Sequence, residues 1–286
     1  MVLGAGGMAG HVITLHLRAM TKLFNVIAVS RSNNMISPDI LADVTDLPAL
    51  DKLLHDQKPD VIINCIGSLN AVAENDPSNA ILVNSYLPHY LAAYTKKSGS
   101  KLIHISTDCV FSGSKGAYTE TDLPDGQGYY ARTKALGEII NEKDITIRTS
   151  IIGPELNAKG IGLFNWFAGQ KGTVNGYTEA YWTGITTWEL AKAIPVIIDE
   201  DISGLYHLVS EEKISKFSLL EIFRQTFPKS KLSDISPSDT YCSDKSLLNT
   251  RTDHTLKMPA YPEMITDMKE QILAHRELYP HYADII

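Results

Sequence analysis

Tyr130 and Lys134 stand four residues apart, a spacing that puts a phenol and an ammonium on one face of a helix. A cation beside a phenol lowers its pKa from about 10 toward working pH, so the phenol can hand a proton to a carbonyl oxygen that is becoming an alcohol. The pair alone says little, because a chain with 13 tyrosines produces such spacings by chance. A second copy, Tyr241 and Lys245, lies in a Ser- and Asp-rich stretch, follows no core strand and has no partner group. What singles out Tyr130 is the upstream string Ser106-Thr107-Asp108-Cys109-Val110-Phe111-Ser112-Gly113, which closes an apolar run. In an open α/β sheet ligands sit beyond the carboxyl ends of the strands, so the Thr107 hydroxyl and the Tyr130 phenol can converge on one carbonyl oxygen. The plainer reading of Thr107 and Asp108 is a turn cap.

Gly4-Ala5-Gly6-Gly7-Met8-Ala9-Gly10 places glycines at 4, 7 and 10 after an apolar start and before a helical pattern. That arrangement allows a tight turn, close approach of backbone to a pyrophosphate, and phosphate held by the N–H groups of a helix N-terminus. A flexible turn would look the same in isolation; the strand and helix alternation that follows is what the fingerprint requires. At the end of the second apolar run an acidic residue would accept from the ribose 2′-hydroxyl, and a basic one would neutralise a 2′-phosphate. Ser30 and Arg31 stand there, which favours NADP(H), with NAD(H) as the alternative, over a merely solvated Arg31. Asp43 is placed to accept from an adenine amino group; its other reading is a helix cap, which Thr45 or Asp46 would serve equally.

These groups need strands and helices to hold them. Apolar runs at Phe24 to Ser30, Val61 to Cys65, Leu102 to Ser106 and Ile145 to Arg148 alternate with helical spacing at Met8 to Met20, Leu47 to Gln57, Ala80 to Lys97 and Tyr129 to Asn141. That alternation predicts an α/β fold, a Rossmann-type doubly wound parallel sheet over residues 1–150, to which the chain returns at 184–199. Residues 151–286 otherwise form a smaller C-terminal α/β substrate lobe, closing a cleft where a ligand site belongs. Ser230 to Ser246, rich in Ser, Asp and Pro, reads as a long connection. Only Met1, Val2 and Leu3 precede Gly4, whereas a strand ordinarily runs about five to six residues. The expectation is a clipped first strand, from a natural start lost or misassigned, with stability suffering more than cofactor chemistry.

Composition narrows the function classes. A net charge of −7 argues against non-specific nucleic-acid binding, which needs a basic face. No apolar run approaches the roughly 20 residues of a membrane span, and the start lacks the features of a signal peptide. Three cysteines, Cys65, Cys109 and Cys242, without CxxC spacing suit free thiols in a reducing, cytoplasmic compartment. The nine histidines show no metal-ligand spacing, so each reads as solvated or core, and no catalytic metal is expected.

With these residues in view, the chain resembles the dTDP-4-dehydrorhamnose reductases among the extended short-chain dehydrogenase/reductases over nearly its whole length. The matching stretches are Gly4 to His11, Leu41 to Asp46, Pro59 to Gly67, Ser106 to Gly113, Tyr130 to Lys134, Arg148 to Ser150, and Gly184-Ile185-Thr186-Thr187 leading into a helix at Glu189. The resemblance implies NADPH-dependent reduction of the 4-keto group of a 4-keto-6-deoxy sugar nucleotide. Thr107 would polarise the keto oxygen, Tyr130 donate the proton, and Lys134 bind the nicotinamide ribose and tune Tyr130. Asp108 would contact the sugar or orient Thr107. Met8 and Val44, inside two of the stretches, join Gly4, Gly7, Ser30, Arg31, Asp43 and Lys134 as candidate cofactor contacts. Arg251, in Asn249-Thr250-Arg251-Thr252-Asp253, is the candidate for the substrate diphosphate, its alternative being a surface salt bridge. The resemblance allows a homodimer, with a helix near Met264 to Leu278 packing internally or between chains. After Ser150 this chain continues Ile151-Ile152-Gly153-Pro154 where rhamnose-forming relatives carry Trp and further aromatics, so sugar and base are not carried over. Trp166, Trp182 and Trp188 read as packing residues. Two other readings remain: a nucleotide-sugar epimerase or dehydratase, the latter weakened by Cys109 where a Glu is usual, and a non-catalytic NADP-binding regulatory subunit.

Overall fold

Successive strand residues point to opposite faces, and here they divide cleanly between two cores. Val2, Ala28, Ile63 and Ile103 belong to one apolar cluster, while their neighbours Leu3, Val29, Ile62 and Leu102 belong to another. A sheet buried on both faces, with near-continuous apolar strands, is the parallel arrangement. The computed structural model describes all 286 residues. It opens with β1 (Val2–Leu3), α1 (Met8–Ala19), β2 (Ala28–Ser30), β3 (Ile40–Leu41), α2 (Leu47–Gln57) and β4 (Val61–Asn64). Short helices α3 (Asn70–Asn75) and α4 (Pro77–Ala80) lead through a π-helical stretch, Ile81–Tyr86, into α5 (Leu87–Ser98). Then come β5 (Lys101–Ile105), a 3-10 turn at Asp108–Val110, α6 (Gly128–Leu136) and β6 (Ile145–Arg148). The remainder holds β7 (Ile151–Ile152), α7 (Leu163–Gly169), β8 (Gly172–Tyr177), β9 (Ala180–Trp182), β10 (Ile185–Thr186), α8 (Thr187–Asp199) and β11 (Gly204–His207). It ends with β12 (Ile214–Ser215), α9 (Lys216–Thr226), β13 (Leu232–Ser238), β14 (Ser243–Asp244) and α10 (Tyr261–Ala274).

The main sheet has seven parallel strands in the order β11-β6-β5-β4-β1-β2-β3. Helices α1 and α8 supply residues to the first cluster, α2 and α5 to the second. β1 is two residues long yet central, pairing with both β2 and β4. α8 packs beside α1 on this sheet, and the chain continues from it into β11, the seventh strand. The smaller lobe holds two minor sheets, β12-β9-β14 and β13-β8. Its aromatic centre, Phe164 against Phe223, Phe227 and Tyr282, is continuous with the α1 and α8 core. α10 packs internally, burying Met264, Ile265, Met268 and Ile272. No helix is long and apolar enough to cross a membrane.

Three segments depart from the sequence reading. The helix expected over Ala80 to Lys97 is widened at Ile81–Tyr86, where the buried Asn84 holds both backbone groups of Ser68 and donates to the Thr133 hydroxyl. The helix expected to Asn141 stops at Leu136, because a Cβ on Gly137 would lie 1.8 Å from the Asn84 carbonyl oxygen and the chain must pass that point without one. Within the supposed connection Ser230 to Ser246, β13 pairs in parallel with β8, with a register shift between Leu232 and Asp234, and buries Leu232 and Ile235; the Ser and Asp content masks a strand.

His11 ties the far end of the chain to α1. Its Nδ1–H donates to the Gly7 carbonyl at 2.8 Å, leaving Nε2 to accept from the Tyr279 hydroxyl at 2.8 Å. Burial holds its pKa down at about 4. Below pH 6.5 the unfolded chain therefore binds a proton that the folded chain refuses, so stability falls as pH drops from 6.5 toward 4, by up to about 3 kcal/mol. Urea midpoints measured across pH 4 to 8 should show this loss, reduced in His11→Gln; an unchanged slope in the variant would refute the assignment.

Candidate functional site

The glycine loop turns from β1 into α1. Gly10 lets the helix descend onto the loop: a Cβ there would sit 2.1 Å from the Gly4 carbonyl oxygen. No side chain caps α1 and its first turn carries no acid, so its free N–H groups and positive dipole end face the loop beside Gly4, Gly7 and Met8. This is a cradle for phosphate. Ser30 and Arg31 lie beside it at the end of β2, and the Asn34 amide, which donates to the Ser30 hydroxyl at 3.2 Å, reaches within 2.7 Å of where a Cβ on Gly6 would be. Asn34 was not found from sequence, since its position rests on a loop. Asp43 accepts from both the backbone and hydroxyl of Thr45 and sits near enough to Arg31 to be held below the usual carboxylate range, chiefly by Thr45. The cap of α2 is Asp46, and Val44 is buried.

Thr107 and Asp108 follow β5, and Tyr130 and Lys134 lie on α6. The structure brings the four together. The Thr107 hydroxyl lies beside the Tyr130 phenol, donates to Asp108 Oδ1 at 3.1 Å and accepts from the Cys109 N–H, so it also caps the 3-10 turn. Burial pushes the phenol above its usual range, Cys109 and Asp108 add to this, and only Thr107 pulls the other way. The Lys134 ammonium donates to the Ile105 carbonyl at 2.7 Å and lies 3.4 Å from His104 Nε2, and burial takes its own pKa down to about 8.

Behind α6 the chain turns inward at Gly137, and Glu138 meets Arg148 of β6 through two 2.8 Å bonds, Nε to Oε1 and Nη2 to Oε2. Both side chains are buried. Ser106 donates to the same carboxylate at 2.8 Å, so the first residue of the Ser-Thr-Asp string serves the scaffold.

Arg251 is not where the sequence reading put it. Its guanidinium holds Asp253 and donates to the Ser203 and Leu205 carbonyls at the amino end of β11, the opposite end of the sheet from Thr107. β11 is the sheet edge, and Arg251 satisfies its outward carbonyls as Glu120 satisfies its His207 N–H. Two lysines, Lys216 unmarked in the sequence reading and Lys245 set aside there, face the site instead. Lys245 and Lys216 both pull on Asp108, whose carboxyl burial pushes up, yet neither ammonium reaches ion-pair contact with it. They leave the two strands that flank β9, and Lys216 lies over the Trp182 ring at 4.6 Å. Lys216 is pushed down to about 8 by burial. Lys245 thus has a partner after all, while Tyr241, exposed and outside any helix, does not join the site. Trp182 is buried, Trp188 packs edge-on against His16, and Trp166 is 40% exposed on α7.

Residues 1–247 match the family model described as the RmlD substrate binding domain. The chain is 28% identical over 228 residues to a probable low-salt glycan biosynthesis reductase of Haloferax volcanii, covering 75% of each chain. It is 29% identical over 231 residues to the dTDP-4-dehydrorhamnose reductase of Mycobacterium tuberculosis, covering 76% of this chain and 71% of that one. Its fold is shared with the crystal structure of a Bacillus anthracis dTDP-4-dehydrorhamnose reductase in complex with NADP, at TM-score 0.79 and 20% identity over 94% of this chain and 98% of that one.

Replacing Glu138 by Leu would strand the Arg148 charge in the core, at a cost of about 3–5 kcal/mol. Chemical denaturation should show a loss of that order in Glu138→Leu and a far smaller one in the double variant Glu138→Leu, Arg148→Met. Equal losses would mean that the pair does not act as a unit.

Proposed function

We infer the function from two observations: the chain belongs to the RmlD substrate binding domain family, and its Thr107 and Tyr130 lie side by side beyond the carboxyl end of β5. The reading is an NADPH-dependent oxidoreductase that reduces the 4-keto group of a 4-keto-6-deoxy sugar nucleotide, in deoxysugar or glycan biosynthesis. The activities named for the Haloferax and Mycobacterium relatives support the reaction class and the substrate class. The placement of the two hydroxyls side by side is the observation that carries it, because donors aimed at a carbonyl oxygen stabilise the charge it gains.

Bound at the glycine loop, the dinucleotide supplies the hydride. Ser30 and Arg31, with Asn34, would take its 2′-phosphate, Asp43 and Val44 would border its adenine, and Lys134 would hold its nicotinamide ribose. Thr107 donates to the keto oxygen, and Tyr130 gives its proton to that oxygen as the carbon takes the hydride. Burial keeps the phenol protonated until negative charge develops beside it, as suits a general acid. Asp108 orients Thr107 and borders the sugar. Lys216 and Lys245 replace Arg251 as the cations facing the substrate diphosphate: two ammonium groups around one buried carboxylate leave positive charge to be matched by an anion. The cytoplasm is the compartment proposed, since all three cysteines are free thiols.

NADPH oxidation by the purified protein against dTDP-, UDP- and GDP-linked 4-keto-6-deoxy sugars should be stoichiometric with one of them and slow by at least about 10²-fold in Tyr130→Phe. Binding of NADPH without turnover of any substrate would move the assignment to an epimerase or a regulatory subunit. Lys216→Met should raise KM for the sugar nucleotide about tenfold, roughly 1.4 kcal/mol, and leave KM for NADPH unchanged. A change in KM for NADPH instead would place Lys216 on the cofactor.

A further inference from the structure

The wall behind Lys134 carries a chain of hydrogen bonds whose directions are forced. Asn64 and His104 are both fully buried. The Ile66 N–H donates to Asn64 Oδ1 at 3.2 Å, and a backbone N–H can only donate, so the Asn64 amide cannot be reversed. Its Nδ2 therefore donates to His104 Nδ1, 3.2 Å away, which must carry a lone pair. A neutral imidazole has one proton, so it sits on Nε2 and points at Lys134 Nζ, 3.4 Å away. An ammonium has no lone pair to receive it, whereas a neutral amine does.

We propose that His104, locked as its Nε2–H tautomer by Asn64, is a positioning residue that governs the charge of Lys134 by donating to its neutral amine. The proposal rests on the reading of Lys134 as a working group of the site. The other groups facing Lys134 do not supply this control. The Ile105 carbonyl accepts from either charge state. Glu138, from the turn after α6, favours the ammonium but is occupied by Arg148 and Ser106. Cys65, just past β4, also favours it but is itself pushed up by burial to about 12 and so is an uncharged thiol. That leaves the imidazole as the one neighbour whose proton placement discriminates between the two forms, and the lowered proton affinity of Lys134 has the matching direction.

The full-length protein gives two readouts that need no substrate. Long-range ¹H–¹⁵N spectra at pH 7, with the His104 signals assigned by their absence in His104→Gln, should show Nε2 protonated and Nδ1 bare. A ¹³C titration of the Lys134 side chain should move upward by about one pH unit in Asn64→Asp, where a carboxylate takes Nδ1–H and turns Nε2 into an acceptor. The alkaline limb of the kcat/KM profile should shift in the same direction. An Nδ1–H tautomer in the wild type overturns the proposal even if the variant fails to fold. So does a folded Asn64→Asp that loses rate with the lysine titration unmoved, the behaviour of a packing residue. Failure of the reductase reading would show instead as absent turnover with both spectroscopic results intact.

Discussion

The buried pair of Arg148 and Glu138 is the fixed point about which the site is arranged. Arg148 belongs to β6, and Glu138 follows directly on α6, so their bidentate contact fastens the helix that carries Tyr130 and Lys134 to the strand beside β5. Two charges in a core cost several kcal/mol in desolvation and persist only where geometry and further bonds compensate. Here Ser106 completes the carboxylate, His207 Nε2 accepts from the guanidinium at 3.3 Å, and the Phe111 ring lies 5.0 Å from it. The Ser-Thr pair that ends β5 is thereby divided: Ser106 anchors, and Thr107 faces the opening. Gly137 permits the arrangement, since the Asn84 carbonyl occupies the space a side chain would need.

Much of this was legible in the sequence, and the reason differs from feature to feature. Strand and helix alternation, the glycine loop and the Thr107, Tyr130 and Lys134 grouping depend on local periodicity and on spacing along one or two elements, which one chain displays. The π-helical stretch does not, because Ile81 to Tyr86 has ordinary helical spacing and is widened by bonds from Asn84 and Ser85 to partners on α6 and after β4. Arg251 shows the limit of reading a side chain by its chemistry: a guanidinium suits a diphosphate, but it suits the open edge of β11 equally. Lys216 went unmarked and Lys245 was set aside for the converse reason. They lie 29 positions apart in sequence and meet only because β12 and β14 flank β9.

The buried histidines show how such a core assigns proton positions without titration. His11, His104 and His207 are each fully buried, and each has one nitrogen facing a group whose role is fixed: the Gly7 carbonyl, the Asn64 amide and the Leu248 carbonyl. The second nitrogen then has no choice, and it faces Tyr279, Lys134 and Arg148 respectively. Burial lowers the proton affinity of all three, so none is a cation near neutrality. They act as oriented dipoles, which a sequence without metal-ligand spacing leaves open.

The contact between His11 and Tyr279 spans 268 positions of the chain. On a ribosome that emits roughly 5–20 residues per second, the glycine loop would emerge many seconds before the tyrosine that steadies the helix behind it. The sheet can assemble in that interval, and α8 can cover α1, before Tyr279 arrives to complete the face. A nascent chain is therefore expected to carry its phosphate cradle on an exposed apolar surface until α8 has been made. The helix behind the cradle is steadied only once Tyr279 has been made.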